Sequence, residues 1–304
     1  MTIVPNFFIV GAPKCGTSAL YSHLRQHPQV FMSVPKETHF FATDLTASFR
    51  HDEKWYLSLF SAAEGFERIG EASVWYLYSR KAARNIKEYS PDSKIIAMFR
   101  NPAEMIYSYH SQRIWNRTEN ILDFGEALDA IGDRMHGRRL PDDPYPLECL
   151  NYWEIAKYST QLQRYFDTFG RENVHVIIFD DFRAEPRRVY REVFDFLRVD
   201  STFRPTLDDS HLARNANKRP RSEVVSRLLR NSPRSVIWAG KVLMPNSARR
   251  KKLLDRIGQL NEKPIPRPKL APELRAKIVS YYRPEVAKLG RMLDRDLTAL
   301  WSSK

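Results

Sequence analysis

Cysteine and long apolar runs are both scarce in this sequence. The 304 residues include two cysteines, Cys15 and Cys149, which are too few for a disulfide framework and suit a reducing compartment. No run approaches the roughly 20 apolar residues of a transmembrane helix, and no basic region followed by a signal-type apolar core opens the chain. We therefore expect a cytoplasmic protein with no integral membrane segment.

Acidic residues are outnumbered, and no cluster of metal ligands is visible. The chain has 49 basic and 36 acidic residues, which gives a formal net charge of +13. Such a balance favours a polyanionic partner: a nucleic acid, an anionic membrane or a phosphorylated ligand. No recognition helix or RNA-binding motif supports the first of these. We therefore expect neither a nucleic-acid partner nor a bound metal.

Short apolar runs alternate with helix-like stretches along the chain. Residues 6–10 (NFFIV), 94–99 (KIIAMF) and 174–179 (VHVIIF) predict buried strands. Alternation of such strands with helical patterns, including one at 152–169, is typical of parallel βαβ units. The sequence therefore predicts an α/β fold, a P-loop-type parallel sheet flanked by helices.

The C-terminal third of the chain differs in character. After residue 201, basic and proline-containing segments alternate with helical patterns such as residues 272–297. No linker clearly separates two domains. We therefore predict one domain over residues 1–304, with an α/β core at about 5–200 and a basic, helical C-terminal portion at about 201–304.

Residues 11–18 (GAPKCGTS) lie between the first apolar run and a helical pattern. Unpaired N–H groups and the dipole at a helix N-terminus attract anions, and glycines let the backbone approach a phosphate closely. Thr17 and Ser18 add hydroxyl donors, and Lys14 adds a positive charge. The segment predicts a phosphate-binding loop rather than a plain strand–helix turn.

The lysine of this loop lies outside the Walker A position. A Walker A sequence would place lysine after the second glycine, where Thr17 stands, whereas here Lys14 lies inside the loop. No partner carboxylate for a metal is evident either. These departures weigh against a P-loop kinase, which stays open as an alternative.

A second anion site is predicted at the end of the 94–99 strand. Arg100 follows that strand directly, at the edge where open α/β sheets bind ligands, and its planar guanidinium suits a phosphate. Ser108 falls on the next helix, within reach of the same oxygens. Two anion sites predict a ligand with two separate phosphate groups.

The segment FIVGAPKCGTSALYSHLRQHPQVFMSVPKETHFF resembles the 5′-phosphosulfate motif of PAPS-dependent sulfotransferases, closest to the heparan-sulfate-type and related bacterial branch. Arg100 and Ser108 match the 3′-phosphate motif of that family. The resemblance implies that PAPS is the co-substrate and that Lys14 contacts the oxygen bridging phosphate and sulfate. It also implies that the 5′-phosphate is held by the loop residues Lys14, Cys15, Gly16, Thr17 and Ser18.

The resemblance also implies a catalytic base in residues 36–41 (KETHFF). Glu37 matches the glutamate that serves as base in heparan-sulfate-type enzymes. His39 is the second candidate, and His110 on the helix after Arg100 is the third. Without the resemblance, Glu37 would be a surface carboxylate paired with Lys36.

Two further positions bear on the ligands. Arg221 lies in a short basic segment that resembles the loop folded over the 3′-phosphate in related enzymes. Ala72 stands where glycan-modifying relatives often carry a lysine, which weighs against a glycosaminoglycan acceptor.

The implied function is transfer of a sulfuryl group from PAPS to an acceptor hydroxyl or amine, with release of adenosine 3′,5′-bisphosphate. The acceptor is a small molecule, a lipid or a carbohydrate. Two alternatives stay open: a P-loop kinase-like phosphotransferase, and a basic, non-enzymatic nucleic-acid-binding protein.

Overall fold

The computed structural model describes residues 3–45, 52–141, 146–207 and 268–302, with the short segments 218–220, 222, 257 and 262–264. Its centre is a five-stranded parallel sheet in the order β2-β3-β1-β4-β5. The strands are β1 Phe7–Gly11, β2 Val30–Met32, β3 Arg68–Ala72, β4 Lys94–Phe99 and β5 Val174–Ile178. The predicted α/β fold with a parallel sheet flanked by helices is confirmed.

Strand β1 lies in the middle of the sheet and is buried along its whole length. Phe7 pairs with Gly70 of β3 on one side and with Lys94 of β4 on the other. A parallel sheet covered by helices on both faces requires near-continuous apolar strands, and the runs FFIVG and KIIAMF meet that requirement. Because parallel strands end at the same edge, the segments that follow β1, β3, β4 and β5 meet there.

Helices connect the strands and cover the sheet. In chain order they are α1 Thr17–Leu24, α2 Glu53–Ser58, α3 Ala82–Tyr89, α4 Pro102–Trp115, α5 Phe124–Asp129, α6 Ile131–Met135, α7 Tyr152–Ile155, α8 Tyr158–Phe169, α9 Phe179–Ala184, α10 Pro186–Leu197, α11 Pro272–Met292 and α12 Leu297–Ser302. Short 3₁₀ turns occupy Leu147–Leu150 and Arg171–Asn173. Within the described residues, no helix is both long and apolar enough to cross a membrane.

Two predicted helices are each divided in the structure. The pattern at 152–169 forms α7 and α8, because Lys157 leaves the helical conformation and Glu285 of α11 accepts a hydrogen bond from the Ser159 N–H, 2.5 Å away, at the start of α8. The pattern at 272–297 ends at Met292, because Asp294 adopts a left-handed φ of 51° and the chain turns into α12. The first break involves a residue of another helix, and the second a left-handed backbone conformation inside the predicted range.

The chain divides into two compact units. The first comprises Met1–Arg214 with Leu270–Lys304, and the second is Asn215–Lys269. Within the second unit, Lys218–Pro220 pairs antiparallel with Glu262–Pro264. That the whole chain is a single domain stays a prediction.

Candidate active site

The predicted phosphate loop connects β1 to α1 at the carboxyl edge of the sheet. Gly16 caps α1 with a left-handed φ of 97°, and Lys14 has a φ of 61°. The Ala12 N–H donates to the carbonyl of Met98 in β4, 2.9 Å away, and so fixes the start of the loop against the neighbouring strand. Helix α1 directs its first two N–H groups, those of Thr17 and Ser18, which lie too early in the helix for an i−4 acceptor, toward this edge.

Replacing Gly16 by alanine is expected to destabilise the protein by about 1–2 kcal/mol, because its φ is costly for any residue with a Cβ. The added Cβ would also lie 3.1 Å from Phe179 and 3.2 Å from Met98. Urea denaturation measures the effect. Gly132→Ala is the matched control. A Cβ added to that helical glycine would have no neighbouring atom within 4 Å, so we expect this variant to be more stable by up to about 1 kcal/mol. Equal stability of the two variants would contradict the structure of the loop.

Cys15 contributes its main chain, not its side chain, to the surface of the loop. The thiol is fully buried, donates to the Pro13 carbonyl at 3.4 Å and lies 3.9 Å from the Tyr158 hydroxyl. Burial raises the pKa of the thiol to about 12, while the positive charges of Arg100 and Lys14 act in the opposite direction. The charges of both predicted anion sites therefore act on this one buried thiol.

Phe179 links the two predicted anion sites and was not identified from the sequence. It is the first residue of α9, at the end of β5, although the apolar pattern assigned it to the strand. The Arg100 guanidinium lies over its ring at 4.9 Å, and the ring also packs against Gly16 of the loop. The aromatic ring thus orients the guanidinium beside the N-terminus of α1.

Arg100 and Ser108 belong to neighbouring elements. Arg100 follows β4, its side chain is 23% exposed, and one guanidinium nitrogen lies 3.4 Å from the Glu104 carboxylate. Ser108 lies one turn beyond Glu104 on α4 and is 2% exposed. A contact between Ser108 and a phosphate stays a prediction. Arg221 lies outside the described residues.

Glu37 and His39 lie together at the end of β3. Both residues have left-handed φ values, 68° and 54°. The Glu37 carboxylate, 31% exposed, binds the Lys36 ammonium, accepts the Val74 N–H at 2.8 Å and lies 3.5 Å from His39 Nε2. Its pKa is lowered: burial raises it, but the charges of Lys36 and His39 and the hydrogen bonds from Lys36 and Val74 outweigh burial. Glu37 is thus held ionised, as a base must be.

His110, the third base candidate, is placed poorly for that role. It is buried between the rings of Phe124 and Tyr152, and its Nε2 lies 2.9 Å from the Ile121 carbonyl. Burial lowers the pKa of the imidazole, although the bond to Ile121 opposes this shift. Because Nε2 donates to a carbonyl and the ring is only 3% exposed, neither ring nitrogen is open to an acceptor hydroxyl.

A buried carboxylate beneath the Glu37 segment is the second residue that the motifs missed. Glu71 in β3 is fully buried and accepts hydrogen bonds from four hydroxyl groups, those of Thr38, Ser73, Tyr56 and Tyr76. The signal was visible in the sequence as a charged residue within the buried strand RIGEA.

The family model described as "Sulfotransferase domain" matches residues 4–290. The chain belongs to the sulfotransferase family. The family predicted from the loop and the Arg100 motif is therefore confirmed. A crystal structure of a sulfotransferase from Alicyclobacillus acidocaldarius is 29% identical, covers 98% of both chains and superposes with a TM-score of 0.72.

Curated relatives of this sulfotransferase include larger enzymes. Mouse bifunctional heparan sulfate N-deacetylase/N-sulfotransferase 4 is 25% identical over 207 residues, which are 64% of this chain and 22% of the relative. Human heparan sulfate glucosamine 3-O-sulfotransferase 6 is 28% identical over 214 residues, which are 70% of this chain and 57% of the relative. The chain thus spans less than two thirds of the length of these relatives.

Proposed function

We propose that this sulfotransferase moves a sulfuryl group from PAPS to an acceptor hydroxyl or amine. The observation that carries the proposal is the placement of two cations at the carboxyl edge of the sheet. Lys14 lies on the loop that leads to the N-terminus of α1, and Arg100 lies over the Phe179 ring, which packs against that loop. One cation lies on the loop after β1 and the other follows β4. A donor with separate 5′- and 3′-phosphates matches that arrangement.

The loop side of the site stabilises the leaving group. PAPS, when bound, supplies the sulfuryl group. The backbone N–H groups of Gly16, Thr17 and Ser18 hold the 5′-phosphate, and the exposed Ser18 side chain can add its hydroxyl. The Lys14 ammonium donates to the bridging oxygen, where negative charge develops as the bond between sulfur and that oxygen breaks.

The other side of the site activates the acceptor. The acceptor oxygen or nitrogen forms the new bond to sulfur and gives its proton to the Glu37 carboxylate. Because the pKa of Glu37 is lowered, this carboxylate is a weak base. It therefore takes the proton late, once bond formation to sulfur has made the acceptor group acidic. The charge of His39, whose Nε2 lies 3.5 Å from Glu37, stabilises the carboxylate before it takes the proton.

The acceptor class is proposed on the relatives alone. Those named above act on heparan sulfate by their printed names. A carbohydrate acceptor is therefore the first class to screen with labelled PAPS, with lipids and small molecules next. Ala72, which ends β3 where a lysine is common in glycan-modifying relatives, still weighs against a glycosaminoglycan.

Removing Arg100 should weaken binding of adenosine 3′,5′-bisphosphate without affecting binding of adenosine 5′-monophosphate. We expect Arg100→Ala to raise the Kd of the bisphosphate about 10–100-fold, because a hydrogen bond to a charged group is lost. Ser108→Ala should raise the same Kd about fivefold, because the hydrogen bond that it loses is weaker. Isothermal titration calorimetry with both nucleotides measures this, because only the bisphosphate carries the 3′-phosphate.

Arg84→Ala is the matched control for this titration. Arg84 also pairs with a glutamate four residues later, Glu88, but on the exposed face of α3. It should leave both affinities unchanged. Equal losses for the two nucleotides in Arg100→Ala would contradict the assignment of Arg100 to the 3′-phosphate, and no binding of the bisphosphate by the unaltered protein would overturn the proposed donor. A strict Mg²⁺ requirement would instead favour the kinase alternative. Salt-dependent binding of a nucleic acid would favour the other alternative, a non-enzymatic nucleic-acid-binding protein.

A further inference from the structure

The segment that carries Glu37 and His39 is held by side chains whose hydroxyl groups all bind one buried carboxylate, that of Glu71. Glu71 Oε1 accepts the hydroxyls of Thr38 at 2.8 Å and Ser73 at 2.5 Å, and Oε2 accepts those of Tyr56 at 3.0 Å and Tyr76 at 2.8 Å. A carboxylate has about four lone-pair positions, and these four donors fill them.

Each of the four hydroxyl-bearing residues also holds part of the segment. Thr38 belongs to it directly. The Ser73 hydroxyl accepts the His39 N–H at 3.0 Å. The Tyr76 hydroxyl accepts the Phe41 N–H at 3.3 Å, and the Tyr56 ring stacks on that of Phe40, with centroids 4.1 Å apart and planes 6° apart.

The backbone of the segment needs such support. Glu37 and His39 both have left-handed φ values, and such conformations persist only where the surroundings determine them. The Glu37 N–H donates to Ala72 at 2.9 Å, and the Val74 N–H returns a bond to the Glu37 carboxylate. These two anchors lie in the same stretch of chain, at the end of β3, as Glu71 and Ser73.

We propose that Glu71 is a positioning residue that holds the Glu37–His39 pair in its reactive geometry, an inference that rests on the proposed function of Glu37 as base. The Glu71 carboxylate is fully buried below the segment, so it has no exposed surface for a donor or an acceptor. It acts through Thr38, Ser73 and the two tyrosine hydroxyls. Such fully satisfied buried networks are rigid, and they lose that rigidity when one member changes.

Glu71→Gln is the direct test. Glutamine has the same shape but accepts through one oxygen only, so two of the four hydroxyls face an amide group. We expect kcat to fall about 10–100-fold, the effect of a small misplacement of catalytic groups. The Kd of adenosine 3′,5′-bisphosphate should stay within about twofold, because the donor loop is anchored separately on β4. Equal losses in kcat and in bisphosphate affinity would indicate a general structural role and overturn the proposal.

Amide hydrogen exchange tests the positioning without any activity measurement. In Glu71→Gln the amides of His39 and Phe41 should exchange about tenfold faster or more, while the Ala12 amide, bonded to Met98, keeps its rate. Unchanged exchange at His39 and Phe41 would refute the proposal even if turnover fell. Unchanged turnover in Glu37→Gln would instead refute the base assignment and leave the exchange result standing.

A milder pair of variants covers the case in which Glu71→Gln does not fold. Tyr56→Phe removes one hydroxyl from Glu71 and keeps the ring on Phe40. Tyr152→Phe is its match, since Tyr152 is equally buried and donates at 2.7 Å to the buried Glu119. Tyr56→Phe should lower kcat several-fold more than Tyr152→Phe at equal thermal stability. Equal kcat in the two variants would contradict the proposal.

Discussion

Replacing Glu37 by glutamine is expected to lower kcat by about 10²–10⁴-fold, the range that a positioned general base contributes. Glutamine keeps an oxygen to accept the Val74 N–H, so the segment retains its anchor while it loses the negative charge. Donor binding should therefore change little. Steady-state kinetics with labelled PAPS, beside calorimetry with adenosine 3′,5′-bisphosphate, separates the two effects.

The pH dependence of the unaltered enzyme gives an independent check on Glu37. The ionised carboxylate is the active form, and activity is lost as the pH falls through its pKa. Because that pKa lies below the ordinary glutamate value of 4.5, the acid limb attributable to Glu37 should lie below pH 4.5. A base of ordinary histidine character would place the limb about two pH units higher.

The control for Glu37→Gln is Glu88→Gln. Glu88 is an exposed carboxylate that pairs with Arg84 on α3, as Glu37 pairs with Lys36, and its loss should not change kcat. Full turnover in Glu37→Gln would move the base elsewhere, and His39→Asn would then be the variant expected to abolish transfer. His110→Asn should mainly reduce stability, because His110 is buried and bonded to a carbonyl.

Removing the Lys14 ammonium should reduce kcat by about 10²–10³-fold, as the loss of one preorganised donor to a developing oxyanion does elsewhere. Lys14→Ala removes the charge and the stem, and Lys14→Met keeps most of the stem. Both should weaken bisphosphate binding less than they reduce kcat, because charge on the bridging oxygen is largest in the transition state.

An exposed lysine on α2 provides the comparison for Lys14. Lys54→Ala should leave kcat and affinity unchanged, since that side chain is exposed on a helix remote in sequence from the loop. A fall in bisphosphate affinity that matches the fall in kcat would contradict a role on the leaving group and leave Lys14 as a binding residue only.

The strongest strands of the fold could be predicted from local pattern. The runs containing β1, β4 and β5 are almost continuously apolar, and a buried parallel strand needs such a composition. The break between α7 and α8 could not be predicted. It depends on Glu285, which reaches Ser159 from a helix 126 residues away.

The candidate site also contains both residues that could be predicted from the sequence and residues that could not. The loop and Arg100 were identified because each forms a motif with its own strand. Phe179 was missed, because its role depends on β5 lying beside β4, so that one ring meets Gly16 and Arg100 together. The role of Glu71 was also hidden: its charge was visible, but its four hydroxyl partners come from three separate parts of the chain.

The central position of β1 has a consequence for biosynthesis. Strand β1 leaves the ribosome before its two partner strands, β3 and β4, and does not pair with β2, so FFIVG has no strand partner until those later residues emerge. The predicted phosphate loop is completed even later than the pairing of β1, because Ala12 bonds to Met98 of β4 and Gly16 packs on Phe179, which follows β5. The candidate donor site is therefore completed only after β5 has been translated.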